Sequence, residues 1–175
     1  MNRLHRGKTL RLEQWDYSAQ RGYFITTCVK GRHQLFGQIK NKEMYLSSAG
    51  KIVRDIWVNL PNQVDCRIDT FVIMPDHFHG IIFITNHTSP PVEAIHELPL
   101  QRIIPRYQVL RRQMTLPMVI GRFKMQTAKL INQIVDRSGQ ALWQSNYYEH
   151  VIRSEQDLQR IRLYIENNPL NWKGN

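Results

Sequence analysis

The stretch from Asp69 to Ile84, DTFVIMPDHFHGIIFI, constrains the fold most. Two apolar runs, Phe71 to Met74 and Gly80 to Ile84, enclose a short polar insert that begins at Pro75-Asp76. Val, Ile and Phe suit a pleated sheet and Pro-Asp suits a tight turn, so the stretch predicts two strands joined by a turn. Beyond the turn, His77 and His79 stand two residues apart. Side chains alternate faces along a strand, so both imidazoles point one way and Phe78 the other. Imidazole is a common metal ligand, and a strand fixes two of them with little entropy left to lose. The pair is a candidate half of a metal site set in a sheet. The competing reading is two partly exposed polar residues on a solvated face.

The rest of the chain supplies elements around this hairpin. Tyr23 to Lys30 is rich in β-formers and reads as the first strand, closed by Gly31-Arg32. Leu35 to Ile39 and Met44 to Leu46 read as short strand or loop. Ser47 is a suitable N-cap. Ala49, Ile52, Val53, Ile56, Trp57 and Leu60 then recur with helical period, and Pro61 ends the run. Val64 to Ile68 alternates and feeds into the hairpin. Thr115 is placed to cap a second helix, with Val119, Ile120, Phe123, Thr127, Leu130, Ile131 and Ile134 as its buried stripe and Gly139 as its stop. Trp143 to Ile152 is aromatic and β-branched, and reads as a further strand. Ser154 with Asp157 resembles a capping box and opens a last helix through Leu158, Ile161 and Ile165. At about 100° per residue, Tyr164 and Asn168 lie one turn apart on one side. The order matches an α+β, ferredoxin-like (RRM-like) antiparallel sheet with two helices on one face. The other face is then free for the C-terminal helix, which would bring Tyr164 near His77 and His79.

At 175 residues the chain reads as a single domain, large enough to bury about 70% of the surface its unfolded form exposes. Residues 1–21 read as a basic, poorly ordered arm, and residues 86–115, with four prolines and no sustained period, as a long loop or insertion. Cys28 and Cys66 are far apart and form no CxxC, which suits a reduced, intracellular protein. No apolar run has the length of a signal peptide or a membrane span, so no membrane partner is expected. Lys and Arg outnumber Asp and Glu by 24 to 14, a net charge of +10 that suits a polyanion. The charge is clustered: Arg3, Arg6, Lys8 and Arg11 in the arm, and Arg111, Arg112, Arg122, Lys124 and Lys129 in the loop and second helix, are the candidate nucleic-acid contacts. Trp143, Tyr147 and Tyr148 are candidate stacking surfaces for bases, with Trp143 the one most suited to the core.

The segments MPDHFHGII, WQSNYYEHVIR and YIENNP, in that order, together with the opening YFITTCVKGRHQLFGQI, resemble the REP-associated tyrosine transposases. These belong to the single-tyrosine HUH transposases of bacterial insertion sequences. The resemblance runs from about Arg11 to Trp172 and misses the stretch from Thr88 to Leu116. It implies that His77 and His79 bind a divalent metal ion, Mg²⁺ or Mn²⁺, with Asn168 as the third ligand, and that Tyr164 is the nucleophile. His150, in EHVIR, matches a family position to which no role is assigned here, and with Tyr148 it forms a candidate secondary site. The implied partner is single-stranded or hairpin DNA with a guide sequence beside it. The implied protein is a bacterial cytoplasmic one, acting at the nucleoid as a monomer or homodimer.

The implied reaction is transesterification. A divalent ion neutralises charge on the phosphodiester as attack proceeds. A tyrosine hydroxyl is a weak nucleophile at neutral pH unless a base or cationic field assists it. Two nitrogens and an amide oxygen suit Mn²⁺ better than Mg²⁺. No Walker motif is present, in keeping with strand joining that needs no ATP. Three rival readings are a non-catalytic nucleic-acid-binding module on the same sheet, a phosphoesterase with paired H-x-[ST] motifs, and a zinc hydrolase. The second finds only His87-Thr88-Ser89, and the third finds neither HExxH nor a cysteine cluster.

Overall fold

The computed structural model describes residues 21–85, 115–137 and 139–174. The basic arm and the stretch read as a loop or insertion fall almost wholly outside these. Nine elements organise the described chain. Strands are β1 (Gly22–Cys28), β2 (Gly37–Lys40), β3 (Glu43–Leu46), β4 (Cys66–Met74), β5 (His77–Ile84) and β6 (Tyr148–Ile152). Helices are α1 (Ser48–Val58), α2 (Thr115–Ile134) and α3 (Glu155–Glu166). The main sheet is four-stranded and antiparallel in the order β4-β5-β1-β6. This is the expected α+β, ferredoxin-like arrangement. β2 and β3 form a separate ribbon, turned at Asn41 and Lys42, whose φ angles of 51° and 67° match the backbone of a tight two-residue hairpin.

The sheet divides the interior into two unequal layers. On one face α1 and α2 cover Tyr23, Ile25, Phe78 and Ile82. Trp57 of α1 and Phe123 of α2 meet Phe78 with ring centroids 4.6 and 5.3 Å away. On the other face α3 lays Leu158, Ile161 and Ile165 over Phe24 and Ile81. Ser47 caps α1 as its residue type predicts: its hydroxyl accepts from Gly50 N at 3.1 Å and donates to Leu35 O at 2.7 Å. Ser154 caps α3, accepting from Asp157 N at 3.1 Å. No described helix is long and apolar enough to cross a membrane.

Local departures from the periodic reading have physical causes. The segment from Trp143 is not one strand. Trp143 makes a single bridge to Val29, and the ladder begins only at Tyr148. Between them Gln144 N still donates to Cys28 O of β1 at 2.8 Å, and Lys124 Nζ donates to the carbonyls of Gln144, Ser145 and Asn146 at 2.5, 3.1 and 3.5 Å. α2 ends at Ile134 rather than near Gly139, because Asp136 adopts the left-handed conformation at φ 48°. Leu130 and Ile134 are exposed rather than buried on its stripe. α1 ends at Val58, and Pro61 lies in a separate single turn, Leu60–Asn62.

Candidate functional site

His77 opens β5, and strand alternation turns His77 and His79 toward α3 while Phe78 enters the opposite core. Both histidines are buried, with ring centroids 4.7 Å apart. Each has its Nδ1 engaged. His77 Nδ1 lies 2.5 Å from Asp76 Oδ1, and His79 Nδ1 lies 2.7 Å from Thr26 Oγ1 on the paired strand β1. The Asp76 side chain is fully buried, and its Oδ2 receives Arg32 Nε at 2.8 Å. A carboxylate held by a guanidinium only accepts, so His77 carries its proton on Nδ1 and Nε2 is left as a lone pair. Arg32 reaches Asp76 from a backbone at φ 59°. Its loop wraps the turn, with Val29 N donating to Asp76 O at 2.9 Å and Phe36 N to Pro75 O at 3.0 Å.

Burial keeps both imidazoles neutral. It pushes His79 down to about 3, helped by the neighbouring charges of His77 and Arg32. Burial also lowers His77, against the opposing pull of Asp76.

α3 brings the remaining side chains to this face. Tyr164 stands edge-on to His79 and Phe24, at centroid distances of 5.4 and 5.9 Å, and Phe24 stacks on His79 at 5.4 Å. Tyr164 is 52% exposed, so the residue is open to a large ligand. One turn on, just past the helix end, the Asn168 side chain comes close enough to His77 to favour its protonated form. Trp172 then places its ring 5.9 Å from that of His77. Among the described residues no group of three His, Cys, Asp or Glu side chains gathers to hold a metal ion. The donor set is instead two neutral imidazoles, each fixed through Nδ1, and an amide. That set fits a divalent ion of intermediate softness.

The structure thus brings together His77, His79, Tyr164 and Asn168 from one chain. Tyr148 lies beside them, exposed and edge-on to Phe24 at 6.3 Å. His150 does not join the group, because its Nε2 is 2.8 Å from Asp157 Oδ2. Arg122, Lys124 and Lys129 belong to α2, across the sheet from the histidines, and Lys124 is engaged with backbone carbonyls. Arg3, Arg6, Lys8, Arg11, Arg111 and Arg112 lie outside the described residues. Trp143 is buried and donates Nε1–H to Thr127 Oγ1 at 2.8 Å, so it belongs to the core, and Tyr147 packs partly buried against the same core. Periodicity does not single out Thr26, Arg32 or Asp76. The one hint is a charged residue set directly before His77 in an otherwise apolar hairpin.

No family model matches the chain. A solved structure of a REP-associated tyrosine transposase bound to a REP hairpin superposes with a TM-score of 0.52 at 16% identity, covering 97% of this chain and 73% of that one. The fold is therefore that of a REP-associated tyrosine transposase, as the sequence resemblance implies. An uncharacterized protein of Haemophilus influenzae is 37% identical over 174 residues, covering 97% of this chain and 92% of the relative. The chain belongs to one family with that Haemophilus protein.

Proposed function

We propose that the protein is a metal-dependent single-stranded DNA transposase that cleaves and rejoins DNA beside hairpins through a 5′-phosphotyrosine intermediate. The observation that carries this reading is the convergence of Tyr164 of α3, and of Asn168 just beyond it, on the buried pair His77 and His79 of β5. The similarity in fold to a protein bound to a DNA hairpin supports the choice of partner.

His77, His79 and Asn168 would hold a divalent ion, which when bound supplies Lewis-acid neutralisation of a phosphate oxygen. The residues of the chain do the rest. The Tyr164 hydroxyl loses its proton and attacks phosphorus in line. The P–O bond to the phenolic oxygen forms as the bond to the 3′ oxygen breaks, and that oxygen leaves as a protonated 3′-hydroxyl. The 5′ end stays on the protein. Reversal by an incoming 3′-hydroxyl joins strands with no change in the number of phosphoester bonds. Asp76 and Thr26 keep the imidazoles oriented through Nδ1.

The test is a denaturing gel of 3′-end-labelled hairpin DNA incubated with the protein and Mn²⁺ or Mg²⁺. A labelled band at protein mass, absent with chelator and in Tyr164→Phe, is expected. Salt-sensitive hairpin binding without any adduct or cut strand, across several metals and flanking sequences, would instead support a binding module.

A further inference from the structure

α3 reaches the histidine pair by crossing the sheet from edge to edge. The strand order puts β6 and β4 at opposite edges, and α3 is fastened to both. In its first turn, Asp157 Oδ2 meets His150 Nε2 of β6 at 2.8 Å. Asp157 also takes Arg160 Nη2 at 2.6 Å and the backbone N–H of Arg153 at 3.4 Å. Near its other end, Arg162 forks onto Asp69 of β4, with Nε to Oδ1 at 2.9 Å and Nη2 to Oδ2 at 2.6 Å. Asp69 is presented by the register shift between Ile68 and Phe71, and Thr70 N and Oγ1 donate to it at 2.7 and 3.0 Å.

Alongside these two pins the helix rests on the sheet through an apolar seam, Leu158, Ile161 and Ile165 on Phe24 and Ile81. At about 100° per residue, Arg162 and Tyr164 project from opposite flanks of that seam. Apolar contact is non-directional and tolerates a roll of the helix about its axis, whereas a bidentate guanidinium–carboxylate pair does not. Any roll that the fork prevents on one flank would move the tyrosine on the other.

We infer that Arg162–Asp69, with His150–Asp157 as the second pin, is a positioning pair that fixes the roll of α3 and so sets the Tyr164 hydroxyl over His77 and His79 of its own chain. This rests on Tyr164 being the nucleophile. It also gives His150 a role: it ties the helix start to β6.

The test compares Asp69→Asn, Arg162→Ala, Arg162→Lys and His150→Gln in the full chain by hydrogen exchange, hairpin binding and adduct formation. In Asp69→Asn and Arg162→Ala, α3 amides should exchange at least about tenfold faster while β1 and β5 stay protected. Adduct formation should fall about ten- to a hundredfold, the scale of an ångström's misplacement, with hairpin affinity within about twofold. Arg162→Lys should recover part of the loss, and His150→Gln should loosen the first turns of α3 more than the last. Three outcomes overturn the inference: wild-type exchange in α3 for both variants, a loosened α3 with an unchanged adduct rate, or faster exchange across the whole sheet. Failure of the wild-type chain to form any adduct would defeat the reading of Tyr164. The exchange result would then still decide whether the pins hold the helix.

Discussion

Asp76 stands between the histidine pair and the loop that closes over it. One carboxylate oxygen holds His77 Nδ1 and the other holds Arg32, with no exposure to water. Replacing it with Asn keeps the shape but leaves two charge-assisted hydrogen bonds weakened and the guanidinium without its counter-charge. Asp76→Asn should lower Mn²⁺ affinity about ten- to a hundredfold, as loss of an outer-shell carboxylate does, and cost about 3 kcal/mol of stability. Titration calorimetry and chemical denaturation read the two effects separately. The histidines set a pH dependence as well. His79 is lowered to about 3 and His77 is also lowered, both from an ordinary 6.5, so the unfolded chain takes up protons that the folded one refuses. Metal-free stability should therefore fall as pH drops below 6.5, and for His79 the loss should continue toward about 3. Between roughly pH 6.5 and 5.5 ordinary carboxylates scarcely titrate, so the slope of denaturation across that window reports on histidine. His79→Gln should flatten the slope there.

At the scale of elements, the hairpin of β4 and β5, the capped helices α1 and α3, and the two-faced sheet were legible because each rests on local pattern: alternation, helical period and caps. The Asp157 half of the capping box was read less fully. Its carboxylate serves His150 and Arg160 in addition to the nearby backbone. Asp76 was legible only as a turn residue, since Pro-Asp is what a turn requires. Its burial comes from the loop at Val29 to Phe36, far off in sequence. Arg162 and Asp69, 93 residues apart, share the same difficulty. The grouping of Tyr164 with His79 was foreseeable because a helical turn links Tyr164 to Asn168 and the sheet has one uncovered face. Close packing of the sheet against α1 yields a further expectation. A Cβ on Gly80 would stand 2.6 Å from the Phe78 ring and 2.8 Å from that of Trp57. Gly80→Ala should therefore destabilise the fold by about 1–3 kcal/mol through overpacking. Thermal unfolding measures this, and because Gly80 faces the α1–α2 layer, folded Gly80→Ala protein should keep wild-type Mn²⁺ affinity.

For the whole molecule, the described part of the second basic cluster lies away from the site: α2 places Arg122 and Lys129 across the sheet from Tyr164. Hairpin affinity should fall steeply with salt, its logarithmic slope shrinking by about 0.7 to 0.9 for each phosphate contact removed. Arg122→Ala and Lys129→Ala should leave that slope within error of wild type. Neutralising Arg3, Arg6, Lys8 and Arg11 should reduce it, as fluorescence anisotropy across a salt series would show. One copy of the chain supplies every member of the candidate site, so adduct yield per chain should not change on dilution.

The most direct measurement is intact-mass and peptide-mapping mass spectrometry of the protein after incubation with hairpin DNA and Mn²⁺. The predicted result is one nucleotide-phosphate adduct per chain, located on the peptide that contains Tyr164 and absent from Tyr164→Phe. An adduct on Tyr148, or on any residue other than Tyr164, would contradict the account, as would cleaved DNA with no adduct at all.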